Sequence, residues 1–215
     1  MVLEGTGRCR ERDGGRLRED AGGAPATLKV LVAGGPGAGK TTLVGAVSEV
    51  GPLRTRELLT EAGRPFGDPG GAPEEWGAGR AATVTMDFGR ITLSGALTLC
   101  LIGAPDRDPS RSLWDELVEG ALGAVVLVDP RRPGDCSETV GHLERRAVPF
   151  AVAVNRFEGA GHHPPEAVRA ALGLDAGVPV LPCDARRRDS ARRVLLSVVE
   201  HAMRADAARR RGTVG

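Results

Sequence analysis

Four short apolar runs punctuate the chain: LKVLVAG (28–34), GAVVLVD (123–129), PFAVAVN (149–155) and VPVLPCD (178–184). Each is apolar at successive rather than alternate positions and is bounded by turn-forming residues, which predicts strands buried on both faces, the habit of a parallel sheet. After the first run, GKTTLVGAVSEV (39–50) carries apolar residues at 43, 44, 47 and 50, the spacing of a helix. Further helical segments are predicted near 135–146, 165–174 and 187–208. The stretch TVTMDFGRITLSGALTLCLIG (83–103) has another period: it alternates on both sides of SGA, as two antiparallel strands closed by a tight turn do. A short helical piece, LWDELVEGAL, precedes the second run. The order β-α-β-β-α-β-α-β-α-β-α predicts an α/β fold, a mostly parallel six-stranded sheet with one antiparallel edge strand and helices on both faces.

Elsewhere the pattern lapses. Residues 1–26 hold glycines, five arginines and five acids with almost nothing to bury, and read as a disordered N-terminal arm. Residues 51–82 are rich in Gly and Pro and too long for a passive connection, so they read as a mobile functional loop. The folded domain is expected over 27–205, with 206–215 as a C-terminal tail.

Composition narrows the function classes. The chain has 215 residues, 41% of them apolar, enough for one well-buried domain. A formal charge of +1 excludes a global field that would draw it to nucleic acid or to an anionic membrane. No apolar run approaches the roughly 20 residues of a spanning helix and the first residues form no signal-peptide core, so a cytoplasmic chain without direct membrane insertion is expected. Cys9, Cys100, Cys136 and Cys183 are scattered without C-x-x-C spacing, which points to reduced thiols, three of them in strand-like or helix-like segments and used in packing.

Candidate chemistry begins where the first strand meets the first helix. Gly34, Gly39, Lys40 and Thr41 satisfy G-x-x-x-x-G-K-[ST], and the whole stretch from Gly34, Gly35, Pro36, Gly37, Ala38 and Gly39 to Lys40, Thr41 and Thr42 is a candidate phosphate cradle. Glycines let main-chain N–H groups turn inward, Lys40 neutralises the β and γ phosphates, and the Thr41 hydroxyl is a candidate ligand for Mg²⁺. The following helix adds the positive end of its dipole. Lys29 and Lys40 are the only lysines of the chain, so one of the two stands at this point.

The hairpin that follows separates this chain from P-loop kinases, whose first helix leads to another parallel crossover. Over residues 28 to about 205 it resembles the Ras-like small GTPases. More closely, LVAGGPGAGKTTLVGAVSE, TMDFGRITL, LWDEL and GALGAVVLVD resemble the ATP/GTP-binding proteins of bacterial conservon operons, relatives of the gliding-motility GTPases. The resemblance implies a P-loop NTPase with a Ras-like G domain, holding GTP or GDP with Mg²⁺. It also implies work beside a roadblock-type protein and a sensor-kinase-like complex, through which the chain would be recruited to the membrane.

The family's elements map unevenly. A threonine ahead of the second strand closes on Mg²⁺ in such switches; Thr83 is the best match, as a catalytic and metal residue, with a β-branched strand position as its other reading. Asp87 shares a strand face with Thr83 and Thr85, so it is open to facing the metal, and its other and preferred reading is a polar strand position. After the third strand, where Ras-like proteins carry D-x-x-G-Q, this chain has GAPDR, Gly103 to Arg107. Asp106 brings a side chain and a charge where a backbone N–H should meet phosphate, and Arg107 cannot orient water as an amide does, so hydrolysis is expected to be slow or absent. The alternative open to this loop is that Arg107 or Arg111 swings in as a cis arginine finger.

Base recognition maps better. NRFE, Asn155 to Glu158, stands where N-K-x-D belongs, with Asn155 on the base edge, the Arg156 stem over the ring and Glu158 accepting from guanine. CDAR places Asp184, Ala185 and Arg186 where S-A-K is usual, so that the Ala185 N–H would reach the guanine carbonyl. GHHPP (161–165) reads as a solvent loop before a helix rather than a metal site. The arginine-rich last helix has an ordinary core stripe at Leu195, Val198, Val199 and Ala202. Trp76 is a candidate partner anchor, and Trp114 is that or core. Two functional classes remain open: a switch that hydrolyses slowly, and an inactive scaffold of the same fold that binds a roadblock-type partner. An ATP-dependent kinase is disfavoured by the hairpin.

Overall fold

A computed structural model of the chain describes residues 26–51, 53–59, 82–105, 111–158 and 163–212. β1 (Ala26–Gly34) runs into α1 (Lys40–Val47), and β2 (Leu53–Leu59), β3 (Ala82–Ser94) and β4 (Leu97–Gly103) follow. Then come α2 (Arg111–Val118), β5 (Ala121–Val128), a 3-10 turn (Pro133–Cys136) and α3 (Ser137–Arg145). β6 (Phe150–Asn155), α4 (Pro165–Leu172), β7 (Val180–Cys183) and α5 (Arg188–Gly212) complete the order.

The six expected strands are present as β1 and β3 to β7, with β3 antiparallel to β4 and the pairs β4–β1, β1–β5, β5–β6 and β6–β7 parallel. The described residues add a seventh, giving the order β2-β3-β4-β1-β5-β6-β7. β2 lies outside β3 and antiparallel to it, Leu53 opposite Phe88 and Leu59 opposite Ala82, so β3 is not the edge. The loop expected over 51–82 therefore opens with a strand. LRTRELL contains neither Gly nor Pro, and the glycines and prolines that follow masked it in the average over the segment.

Alternation along each central strand sends side chains to two separate cores. Val30, Val32, Leu99, Leu101, Val125, Leu127, Ala151 and Ala153 meet Leu43, Val44 and Val47 of α1 and Val194, Leu195 and Val198 of α5. Leu31, Ala33, Ala124, Val126, Val128, Val152 and Val154 meet Leu113 and Leu117 of α2, Val140 and Leu143 of α3 and Val168 of α4. Burying both faces is what makes these strands read as unbroken apolar runs. Trp114 is half-buried on the second core, its ring centroid 5.3 Å from that of His142. α5 continues to Gly212, past the point where a tail was expected, because its last turns are alanines and arginines, both good helix formers. Cys136 and Cys183 are buried free thiols, and burial pushes the Cys183 thiol up to about 11. Trp76 and Cys9 lie outside the described residues.

Candidate functional site

The carboxyl ends of β1, β5, β6 and β7 converge on one rim of the sheet, where α/β folds place their ligands. Gly34 ends β1, and Gly39 caps α1 in the left-handed region at φ 104. No side chain caps this helix and no acid stands in its first turn, so its amino end offers N–H groups and positive dipole to an anion. A Cβ on Gly39 would lie 2.7 Å from Asn155 Nδ2, a position only glycine fits. Lys40 is buried at 5% exposure, and its ammonium donates to the carbonyl oxygens of Gly34 (2.7 Å) and Gly35 (3.1 Å). Those bonds fold the lysine back over the loop, so that its charge points into the cradle.

Thr41 and Thr42 lie exposed in the first turn of α1. The Thr41 hydroxyl donates to the Asp87 carboxylate, which sets Asp87 beside the candidate metal-binding hydroxyl and corrects the preferred reading of it as a plain polar strand residue. Register explains the contact: Asp87 of β3 lies opposite Gly103, the last residue of β4. A Cβ on Gly103 would stand 3.1 Å from that of Asp87, so the absent side chain at the end of β4 leaves room for the neighbouring strand's carboxylate. β3 then continues past β4, from Met86 back to Ala82, paired with β2. Thr83 lies inside that ribbon, opposite Leu58, rather than ahead of the strand. At about 3.3 Å per residue it is roughly 13 Å along β3 from Asp87, so the structure does not bring it to Thr41. Asp106 and Arg107 lie outside the described residues, and of Arg111 only the backbone at the start of α2 is described.

The base-side residues do assemble. Asn155, 5% exposed at the end of β6, donates through Nδ2 to the Ala38 carbonyl (2.8 Å) and accepts through Oδ1 from the Ala185 N–H (3.0 Å). One side chain thus ties together the phosphate loop, NRFE and CDAR. The Ala185 N–H, expected to reach the base, has this partner inside the protein instead. Arg156 is exposed and its N–H donates to the Cys183 carbonyl at 2.7 Å. Arg186 spans two acids, Nη1 on Glu158 at 2.5 Å and Nε on Asp184 at 3.0 Å. The guanidinium beside Asp184 holds that carboxyl below its usual range. Pro130, Asn155, Phe157, His163, Pro182, Asp184 and Arg193 line a cavity of about 690 Å³ next to this cluster.

Asn155→Ala would leave a buried carbonyl and a buried N–H without their partner. At about 1–3 kcal/mol per unmatched group, thermal unfolding of the ligand-free variant is expected at least 5 °C lower, roughly 2 kcal/mol.

Sequence reasoning passed over the connection from β5 to α3, DPRRPGDC (129–136), which carries no recognised motif. Asp129 is buried and takes three bonds from Arg131, from its main-chain N–H at 3.0 Å, Nε at 2.9 Å and Nη2 at 2.6 Å, and the arginine holds its carboxyl below the usual range. The Arg131 guanidinium in turn lies 4.6 Å from the Phe157 ring centroid. Its place at the carboxyl end of a central strand was the available signal.

Comparison with known proteins agrees with this architecture. The G domain of the FeoB iron transporter of T. maritima superposes with TM-score 0.55 and 20% identity, over 82% of this chain and 99% of that one. The cytosolic domain of the same transporter in a GDP form gives TM-score 0.59 and 20% identity, over 84% of this chain and 65% of that one. The Arl6 BBS3 small GTPase of Trypanosoma brucei, with the bound analogue GppNp, gives TM-score 0.54 and 15% identity, over 84% and 99%. At such identities the likeness is one of fold: a P-loop, Ras-like α/β domain. No curated protein matches in sequence. No helix among the described residues is long and apolar enough to cross a membrane. A family model covers residues 32–205, from the end of β1 into α5, and by that match the chain belongs to the family described as conserved hypothetical ATP binding protein.

Proposed function

We propose that this chain is a guanine-nucleotide switch with slow, impaired hydrolysis, of the kind found in conservon operons, acting in the cytoplasm on a roadblock-type partner and a sensor-kinase-like complex at the membrane. The observation that carries the reading is the Asn155 side chain, bonded at once to Ala38 of the phosphate loop and to Ala185 of CDAR. A nucleotide laid across Gly34 to Thr42 would meet Asn155, Arg156 and Glu158 at its base, with Asp184, Ala185 and Arg186 closing that end. Glu158 reads the guanine N–H groups on exchanging Arg186 for the base. The FeoB and Arl6 structures with GDP and GppNp support guanine over the adenine nucleotide in the family's description.

Mg²⁺ fits the residues present. Thr41 and Asp87 form a pair of hard oxygen donors beside Lys40, the chemistry Mg²⁺ takes together with phosphate and water. Among the described residues no group of three or more His, Cys, Asp and Glu is assembled, and a site completed by phosphate does not need one. When bound, the ion would neutralise phosphate charge; Thr41 would hold it, and Asp87 orients Thr41. Thr83 would join them only if the β2–β3 ribbon moved, and that movement is the proposed switch. Asp87→Ala is expected to weaken the Mg²⁺ dependence of GDP binding roughly 10-fold, read by titrating Mg²⁺ against a fluorescent GDP, with metal-free binding little changed.

Slow hydrolysis rests on Asp106 standing where a glycine N–H meets the γ-phosphate and on Arg107 standing where a glutamine orients the attacking water. Single-turnover release of phosphate from bound GTP tests it. Slow release supports the switch; no release over hours, with nucleotide still bound, supports the scaffold that GAPDR also suggests. Release at the rate of an efficient GTPase would make Arg107 a stimulating finger and overturn the slow-hydrolysis reading.

A further inference from the structure

The connection between β5 and α3 packs against the phosphate loop through residues that the nucleotide reading leaves unused. Arg132 donates from Nη2 to the Pro36 carbonyl at 3.5 Å, and its Nε lies 3.6 Å from Asp135 Oδ2. Asp135 in turn leans on the loop: a Cβ on Gly35 would stand 2.8 Å from the Asp135 Cβ. Cys136, buried behind it, donates to the Leu127 carbonyl at 3.6 Å and anchors the segment to β5.

The two neighbouring arginines have different fates. Arg131 is committed to the buried Asp129 and to Phe157. Arg132 has a side chain 61% exposed, and both its contacts are at the long limit for a polar interaction, so exchanging them for a better acceptor costs little. Its position is specific. The Lys40 ammonium, which serves the β and γ phosphates of a nucleotide in such loops, sits over Gly34 and Gly35 and so marks the terminal-phosphate end of the cradle. Arg132 stands at the next residue, Pro36. That residue has no N–H, so at this lip the main chain supplies an acceptor and no donor for phosphate.

Resting on the nucleotide reading above, we propose that Arg132 is a terminal-phosphate contact. It turns from Pro36 and Asp135 to the γ-phosphate of a bound nucleoside triphosphate and sets the preference for triphosphate over diphosphate. Asp135 is a positioning residue that holds the guanidinium at the lip when that phosphate is missing. A guanidinium on phosphate forms charge-assisted bonds about twice as strong as neutral ones, which is ample to set a preference.

The test measures affinities for GDP and for a non-hydrolysable GTP analogue, with Mg²⁺, in the full chain and in Arg132→Ala and Arg132→Lys. Arg132→Ala is expected to weaken analogue binding about 10-fold and to leave GDP within about twofold, Arg132→Lys falling between, with unchanged melting of the ligand-free proteins. An unchanged ratio of the two affinities, or an equal loss of both, would overturn the inference alone and leave Arg132 as a brace between loops. Absence of any binding by the unaltered chain would overturn the nucleotide reading and this inference with it.

Discussion

Lys40→Ala is expected to weaken binding of both Mg-GTP and Mg-GDP about 100-fold or more, close to 2.7 kcal/mol, in calorimetric titration. Its ammonium is buried, and the Gly34 and Gly35 carbonyls fix it over the loop, so a ligand phosphate meets a cation already desolvated and oriented. Removing the side chain takes away that charge and leaves two carbonyl oxygens at the cradle to repel an anion. The ligand-free variant should melt within a few degrees of the parent, since deleting a buried cation also removes its desolvation cost. A variant that bound both nucleotides as the parent does would show that phosphate is not held here.

Gly34→Ala acts on the fold rather than the ligand, and it is the largest stability loss expected of a single added methyl group among the described glycines. Gly34 has φ 147, which side-chain-bearing residues rarely adopt, and a Cβ there would fall well inside the radius of the Leu127 carbonyl oxygen. β1 and β5 are hydrogen-bonded neighbours at that point, Gly34 opposite Leu127, so neither strand can step aside without breaking the ladder. Backbone strain and overpacking together cost about 4 kcal/mol, which for a domain of this size lowers the melting temperature by roughly 8–16 °C. Gly37, with open space around its missing Cβ although φ is 72, should tolerate alanine better, a difference that thermal melts of the two variants would show.

How far the sequence could be read follows from which interactions are local. β1, β5 and β6 were legible because both faces are buried, and the β3–β4 hairpin because one turn sets its register. β2 was not, since its pairing with β3 joins segments about 30 residues apart and its Gly/Pro-rich continuation dominated the composition. The phosphate loop and Asn155 could be named in advance, for their chemistry depends on residues next to one another in sequence. Asp87 could not be assigned to Thr41 without knowing that it lies opposite Gly103, a fact of register rather than of motif. Likewise the Ala185 N–H was given to the base because its bond to Asn155 spans 30 positions. Arg132 and Asp135 sit in a connection whose composition resembles any exposed turn, and their contacts with Pro36 and Gly35, distant in sequence, bring them to the phosphate loop.

Titration of the unaltered chain with GTP, GDP and ATP, each with Mg²⁺, bears most directly on the claim that the rim from Gly34 to Arg186 is a guanine-nucleotide site. One molecule of GTP or GDP should bind per chain with micromolar or tighter affinity and at least about 10-fold better than ATP. Tighter binding of ATP would contradict the base assignment, and no binding of any of the three would reduce the site to a fold without a ligand.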